Sequence, residues 1–344
     1  MNDDITLFYE NIHSWLMPAP RPRSSNGVPS ARPTVCISTD IGARRSENQD
    51  RLALMSVRGV GTASAFTCAV LVDGMGGLPN GEKSAVAAIS RFLVTLVQHR
   101  RVEPAERLRR AVLAGDQEVY QIGLGGGATL SAVLMEQGRV HWVNVGDSRI
   151  YRAKGEKLAR VTIDDTLEEA FGGTGVGLLQ FLGMGSAISP HVGSFADEFD
   201  FLLLTTDGIH RIGDSVIGQV SAHASSSVEL AHRLTDIALY MGGPDNASLV
   251  TIERGAVSAS YAGAAEVTVW SPERELQLKW IRAAPAARLE PERPLPSAEP
   301  PIDQQPARPS PRRSVKKRPP KSGKPSDDKK QLDIGFKDAA DEGE

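Results

Sequence analysis

The stretch Phe66–Leu96, FTCAVLVDGMGGLPNGEKSAVAAISRFLVTL, decides the fold of this chain. Its almost unbroken apolar run, Phe66–Val72, predicts a buried strand. The strand ends on an acid, Asp73; glycines follow at once, and then a segment with the apolar spacing of a long helix. A carboxylate at the end of a rigid strand is held in place, which suggests that it binds something.

Three more acids stand in similar places. Asp147 and Asp207 each follow an apolar run, and Asp245 directly precedes one, ASLVTI. An isolated Asp-Gly after a strand is usually only a turn. Four such acids in one domain could instead converge on one point, where they would repel each other unless a cation neutralised them. Oxygen ligands of this kind suit Mg²⁺ or Mn²⁺, whereas the seven histidines lack the spacing of a zinc site.

The order of the periodic segments predicts the fold class. Strand-like runs occur in clusters and helix-like runs in pairs, which disfavours a regularly alternating parallel sheet. The pattern favours an α+β layered sandwich, in which antiparallel sheets are covered by helix pairs. The helix-like runs are Lys83–Arg100, Pro104–Ile122, Ser215–Ala222 and Ser227–Tyr240.

Proline marks the boundaries of the domain, because thirteen of the 22 prolines follow Arg254 and five lie between Pro18 and Pro33. Residues 34–254 are predicted to form the folded domain. Residues 1–33 combine a short amphipathic helix, which docks either on its own domain or on a partner or membrane surface, with a proline-rich linker. Residues 255–284 contain strand-like alternation that the sequence does not place. Residues 285–344 have a basic cluster and an acidic end, and their composition predicts disorder, with possible docking through LDIGF.

Composition excludes several classes of protein. The formal net charge of −3 suggests neither a nucleic-acid binder nor an acidic-tail protein. No apolar run reaches the ~20 residues that span a bilayer. Cys36 and Cys68 lie in apolar runs, typical of reduced core residues, and the acidic start is unlike a signal peptide. We therefore expect a cytoplasmic protein.

Two local patterns could indicate phosphate chemistry. GGLPNGEKS resembles a P-loop, but Glu82 separates Gly81 from Lys83 and would place an anion where phosphates approach. Arg44 and Arg45 lie shortly before Asp50, and an arginine fork can hold a phosphate. A metal pair with such an arginine is suited to hydrolysis of phosphate esters, although surface charge is the commoner role of each arginine alone.

Five motifs together carry a family resemblance. TDIGARRSENQD, VLVDGMGG, ATLSAVLMEQGRVHWVNVGDSRIYR, LLLTTDGI and GGPDNASLV occur in the order and spacing of the metal-dependent Ser/Thr protein phosphatases of the 2C type (PPM), in their bacterial form. The resemblance covers residues 34–252. It implies a four-layer αββα sandwich with two Mn²⁺ or Mg²⁺ ions at one edge, and direct hydrolysis by a water between the ions.

The resemblance also implies residue roles. Asp73 is expected to bridge both ions and Gly74 to offer its backbone carbonyl, while Asp207 and Asp245 complete the metal shell. The remaining expectations concern the outer shell and the phosphate: Asp50 holds metal-bound waters, Asp147 helps to hold a third, weaker ion, Asn246 orients Asp245, and Arg45, five positions before Asp50, binds phosphate.

The chain departs from the family pattern at three places. Met75 stands where many members have a histidine that could protonate the leaving group. Gln49 replaces an acid before Asp50, and Asp165 stands where members often have histidine. The loop TGVGLLQFLGMGSAISPHVG matches the family's flap only loosely, and we expect substrate choice to lie there.

The predicted function is hydrolysis of phosphoserine and phosphothreonine in proteins, opposing a bacterial Ser/Thr kinase. The alternative is a catalytically silent or scaffold member of the fold that binds a partner. All the core acids are present, which favours the enzyme. No nucleic acid is expected as a partner, because one basic cluster among acidic residues is weak evidence for a nucleic-acid-binding surface.

Overall fold

The computed structural model describes residues 2–28, 34–58, 65–75, 80–123, 125–173, 177–185, 187–196, 198–254 and 267–278. The helices are α1 Asn2–Leu16, α2 Gly81–Gln98, α3 Pro104–Ile122, α4 Leu167–Phe171, α5 Asp207–His210, α6 Asp214–Ala222 and α7 Ser227–Tyr240. The strands are β1 Arg23–Val28, β2 Val35–Asp40, β3 Arg51–Val57, β4 Phe66–Val72, β5 Leu130–Glu136, β6 Arg139–Val145, β7 Arg149–Lys154, β8 Lys157–Arg160, β9 His191–Ala196, β10 Phe201–Thr205, β11 Ala247–Glu253, β12 Val267–Trp270 and β13 Glu275–Leu278.

Two antiparallel sheets form the centre of the fold. One has the strand order β1-β2-β11-β10-β7-β8 and the other β13-β12-β3-β4-β5-β6-β9. Neighbouring strands are antiparallel throughout the described residues. The fold is therefore α+β with antiparallel sheets, as the sequence predicts.

The sequence of β4 is an almost continuous apolar run because both faces of the strand are buried. Successive side chains of a strand point to opposite faces. Val70 and Val72 pack in a core with α1, α2 and α3, while Ala69 and Leu71 pack in a core between the two sheets. A third core joins the six-stranded sheet to α5, α6 and α7. Three cores separate four layers, helices–sheet–sheet–helices.

Two long helices have the bounds that their sequence predicts, because their ends are capped locally. Helix α3 has Pro104 at its first turn, where its missing N–H costs nothing, and ends at Gly123 with φ 65°. Helix α7 follows Ser226, whose hydroxyl accepts the Glu229 N–H at 3.1 Å.

Helix α1 docks on its own domain. Phe8, Ile12 and Leu16 are buried in the core that contains α2 and α3. The Tyr9 hydroxyl donates to Glu118 Oε1 at 2.9 Å, and the Arg91 guanidinium lies 4.4 Å from the centre of the Tyr9 ring. Of the two alternatives for this helix, the structure shows docking within the chain.

The ends of the domain differ from the prediction. Residues 23–28, predicted as linker, form β1 and pair with β2. Their sequence, RSSNGV, has no apolar alternation, so it gives no strand signal. Within the unplaced extension, β12 and β13 widen the seven-stranded sheet, with Val267 and Val269 in its core. The predicted disordered tail, 285–344, lies outside the described residues.

Two sequence expectations about composition can be compared with the structure. Cys36 and Cys68 are buried, unpaired thiols. Burial raises the pKa of Cys36 to about 12. No helix in the described part of the chain combines the length and the apolar character needed to cross a bilayer.

Candidate metal centre

The strand-end acids line one cleft. Asp73 follows β4, Asp147 lies in the turn between β6 and β7, Asp207 begins α5 directly after β10, and Asp245 precedes β11. Arg45, Gly74 and Met75 line the same cleft. Asp50 lies behind it, with no solvent exposure. The two sheets therefore bring together acids that are up to 195 positions apart in the chain, counted from Asp50 to Asp245.

The acids repel one another. Burial, followed by repulsion from Asp50, Asp207, Asp147 and Asp245, raises the pKa of Asp73 well above its ordinary value. Burial is also the first cause that raises the pKa of Asp50 to about 7 and that of Asp147 to about 6. A bound cation would reduce this repulsion and favour the ionised carboxylates.

Asp50 provides a direct test of whether a cation fits. Its Oδ2 accepts a hydrogen bond from the Thr206 hydroxyl at 3.3 Å. Its Oδ1 is buried and accepts no hydrogen bond from the described residues. Burying a carboxylate oxygen without a hydrogen-bond donor costs free energy, and a cation or a water bound to it would supply the missing partner. The donor set, carboxylates with a backbone carbonyl, suits Mn²⁺ or Mg²⁺.

The backbone beside Asp73 is tightly enclosed. A Cβ on Gly74 would come within 2.5 Å of the Gly81 carbonyl oxygen and 2.8 Å of that of Gln49, so only glycine fits. The Thr129 N–H donates to the Asp73 carbonyl at 2.9 Å, which fastens the end of β4 to the start of β5. Asp73 thus stands on a fixed backbone.

Asp207 and Asp245 are brought together in a similar way. A Cβ on Gly208 would lie 2.1 Å from the carbonyl oxygen of Asn246, so the turn after β10 touches the segment before β11. Two guanidiniums pair with these acids: Arg45 Nη2 lies 2.6 Å from Asp245 Oδ2, and Arg211 contacts the Asp207 carboxylate. As they stand, no three His, Cys, Asp or Glu side chains among the described residues form a closed set of metal ligands.

Asn246 contacts both Asp245 and the loop that carries Arg45. Its backbone N–H donates to Asp245 Oδ1 at 2.8 Å. The side-chain Oδ1 accepts the Gln49 N–H at 2.9 Å, and Nδ2 donates at 2.9 Å to the carbonyls of Ile41 and Glu47. Asn246 therefore fixes the loop that carries Arg45. The acceptor oxygen of the side-chain amide and both its hydrogens are used by that loop, so the contact with Asp245 comes from the backbone.

Several polar residues of the cleft were missed by the sequence interpretation. Arg149 makes a bidentate pair with Asp164, with Nε 2.9 Å and Nη2 2.7 Å from Oδ2. His210 is buried, and its pKa lies well below the ordinary value because of burial and then of nearby Arg149 and Arg211, so its imidazole is neutral. Arg149 stands in the quoted motif GDSRIYR, but nothing in its spacing indicates a partner.

Asp165, which stands where family members often have histidine, has structural contacts of its own. Its Oδ2 accepts the Gly146 N–H at 2.8 Å, and its Oδ1 lies 2.7 Å from His191 Nε2. It thereby holds the turn that presents Asp147. The neighbouring segment, with Thr166, Glu168 and Leu178, forms one wall of the cleft.

The chain is similar to known bacterial phosphatases, although no family model matches it. The serine/threonine protein phosphatase PstP of Mycobacterium tuberculosis is 28% identical in an alignment 208 residues long, which covers 53% of this chain and 39% of PstP. This chain thus spans about two fifths of the length of PstP. Protein phosphatase PhpP of Streptococcus pneumoniae is 25% identical over 242 residues, 63% of this chain and 96% of PhpP.

A solved structure supports the same relationship. The catalytic domain of PstP in complex with two manganese ions superposes with a TM-score of 0.53 and 26% identity, over 67% of this chain and 98% of that domain. The two manganese ions were observed in the PstP structure.

Proposed function

Because this chain is a bacterial member of the metal-dependent Ser/Thr protein phosphatase family, the PPM or 2C type, we propose that it hydrolyses phosphoserine and phosphothreonine in proteins. The observation that carries the proposal is the set of acids around one cleft, with a buried Asp50 oxygen that lacks a donor. A silent binding module would have no use for so costly a cluster.

Two Mn²⁺ or Mg²⁺ ions would be held by Asp73, by the Gly74 carbonyl, and by Asp207 and Asp245. Asp50 would support this shell from behind, and Asp147 would help to hold a third, weaker ion. Bound there, such ions act as Lewis acids and lower the pKa of water so that it can attack phosphorus directly.

The chain's own residues have separate tasks in this reaction. Arg45, whose side chain is 38% exposed at the cleft, binds the phosphoryl oxygens. Asn246 and the loop that it fixes keep Arg45 at this edge. Met75 cannot donate a proton to the leaving group, and the neutral imidazole of His210 is a poor acid, so neither residue replaces the histidine of other members.

Replacing Arg45 by methionine is expected to lower kcat/KM by about 10- to 100-fold, because a hydrogen bond to a charged group contributes roughly 1.5–3 kcal/mol. Steady-state kinetics on p-nitrophenyl phosphate measures the effect. Arg44→Met is the matched control, since Arg44 is exposed, adjoins Arg45 in the chain and is not among the residues that line the cleft. Equal losses in the two variants would contradict the role given to Arg45.

The function itself is tested with the purified full chain in Mn²⁺ buffer. We expect hydrolysis of p-nitrophenyl phosphate and of a phosphothreonine peptide. If neither is hydrolysed while calorimetry shows no Mn²⁺ uptake, the enzyme interpretation is wrong and the chain is a binding module.

The substrates would be phosphoproteins made by a Ser/Thr kinase of the same cell, selected by the wall around Thr166 and Leu178. The buried free thiols of Cys36 and Cys68 support a reducing, cytoplasmic location. The tail could recruit a partner; truncation after Trp280 would then abolish partner binding and leave turnover of a small substrate unchanged. Trp280 and the tail lie outside the described residues.

A further inference from the structure

Arg51 is a buried arginine that the proposed reaction does not use. It is the first residue of β3, directly after Asp50, and its side chain is 4% exposed. A buried guanidinium is costly unless its donors are satisfied. Arg51 meets this requirement with partners from three separate parts of the chain.

The first set of partners belongs to the turn that carries Asp50. Arg51 Nη1 donates to the Asn48 carbonyl at 2.9 Å and to the Asp50 carbonyl at 2.8 Å. The Asn48 side chain in turn accepts the Asp50 N–H at 3.1 Å. The guanidinium therefore holds the backbone of Asp50 and, with it, the direction of its carboxylate.

The second partner belongs to α2. Arg51 Nη2 lies 2.6 Å from Glu82 Oε1, in the first turn of that helix. Glu82 is the residue that interrupts the P-loop-like pattern, and in the structure its carboxylate forms this ion pair with Arg51. The adjacent Gly81 carbonyl is the atom that encloses Gly74. Arg51 thus holds the helix start against which the Gly74 backbone packs.

The third partner is the end of α1. Arg51 Nε donates to the Leu16 carbonyl at 3.2 Å, one of the carbonyls at the end of the helix that have no partner within it. The hairpin between β12 and β13 secures the same helix end, because Arg274 donates to the Trp15 carbonyl at 3.1 Å. Both elements lie outside residues 34–252, the part that resembles the family.

We propose that Arg51 is a positioning residue that couples the docking of α1 to metal binding, through Asp50 and Gly74. This inference rests on the proposed function, since it assigns those two residues to the metal shell. When α1 is docked, the Leu16 carbonyl completes the set of Arg51 partners, and the two backbones stay in place. When α1 leaves, the guanidinium loses a partner, becomes open to water and holds the turn less firmly.

The test is Mn²⁺ titration by calorimetry on the full chain. Residues that support metal ligands typically change affinity by about 10- to 100-fold. We expect Arg51→Met to weaken Mn²⁺ binding by roughly tenfold or more, and Ile12→Asp, which places a charge in the α1 interface, to weaken it by a smaller factor. The double variant should be no weaker than Arg51→Met alone, because the helix acts through the arginine.

Controls separate this coupling from general damage. Val112→Ala, on α3 in the same core as Ile12, should lower the unfolding temperature and leave the Mn²⁺ affinity unchanged. If Arg51→Met does not fold, Glu82→Gln removes one charged partner at a part-exposed site and should weaken Mn²⁺ binding in the same direction.

Two results would overturn the inference. One is Mn²⁺ affinity equal to that of the wild type in folded Arg51→Met or, where that variant does not fold, in Glu82→Gln. The other is a double variant whose losses are the product of the two single losses, which would mean that α1 and Arg51 act independently. A wild-type protein that takes up no Mn²⁺ would instead refute the proposed function, and the inference with it.

Discussion

Asp207→Asn is expected to reduce Mn²⁺-dependent hydrolysis of p-nitrophenyl phosphate by more than about 100-fold, since even a residue that only supports a metal ligand changes activity by about 10- to 100-fold. Asparagine keeps the size of the side chain and removes its charge, so the metal shell loses an anion. Removing metal from the wild type with EDTA should stop turnover altogether, and Mn²⁺ should restore it.

The fold should survive this substitution. Asp207 is among the charges that raise the pKa of Asp73, so replacing it relieves repulsion in the metal-free protein. We expect an unfolding temperature within a few degrees of the wild type. The matched control is Asp236→Asn on α7, whose side chain is 62% exposed and paired with Arg23; neither residue lines the cleft. Its turnover should equal that of the wild type. Full activity in Asp207→Asn would remove this acid from the metal shell.

Arg107→Met is expected to lower the free energy of unfolding by about 3–5 kcal/mol, the usual cost of breaking a buried ion pair. The Arg107 side chain is fully buried, contacts the Glu136 carboxylate and lies 4.6 Å from the centre of the Phe66 ring. Without it, the Glu136 carboxylate, whose side chain is 7% exposed, would lose the Arg107 guanidinium as its buried ion-pair partner. Urea unfolding followed by circular dichroism measures the loss.

Two further variants show whether the stability loss in Arg107→Met comes from the buried ion pair. Arg110→Met removes an exposed pair with Glu106 on the same helix and should cost no more than about 0.5 kcal/mol. The double variant Arg107→Met with Glu136→Leu should recover much of the loss, because it leaves no unpaired charge in the core. A loss of less than about 1 kcal/mol in Arg107→Met would show that the pair adds little to stability.

Local pattern was enough to predict much of the sandwich. The run Phe66–Val72 is apolar except for Thr67 because the strand is buried on both faces. Helices α3 and α7 have their predicted bounds because Pro104, Gly123 and Ser226 cap them locally. The strand-end acids could be identified because each stands in a motif of a few residues, which the family resemblance then arranged into one site.

Other elements left no such signal. Strand β1 is polar and gains its hydrogen bonds from β2, so its conformation depends on a neighbour rather than on its own residues. Helix α4 buries no residue, and its apolar side chains Leu167 and Phe171 are exposed. Hydrophobic periodicity in a sequence reflects which side chains are buried. An element that buries few side chains therefore has no such periodicity by which it could be predicted.

The sequence by itself determined where most of the buried strands and helices lie, the bounds of α3 and α7, and which acids could meet at a metal, whereas α2 spans Gly81–Gln98 rather than the predicted Lys83–Arg100. Only the tertiary structure decided which polar groups hold those acids in place: Arg51 reaches Leu16, 35 positions away, and Asn246 reaches Ile41, 205 positions away. The reason is physical. Burial and capping are properties of a few neighbouring residues, whereas a hydrogen bond between distant segments exists only after packing has brought them together.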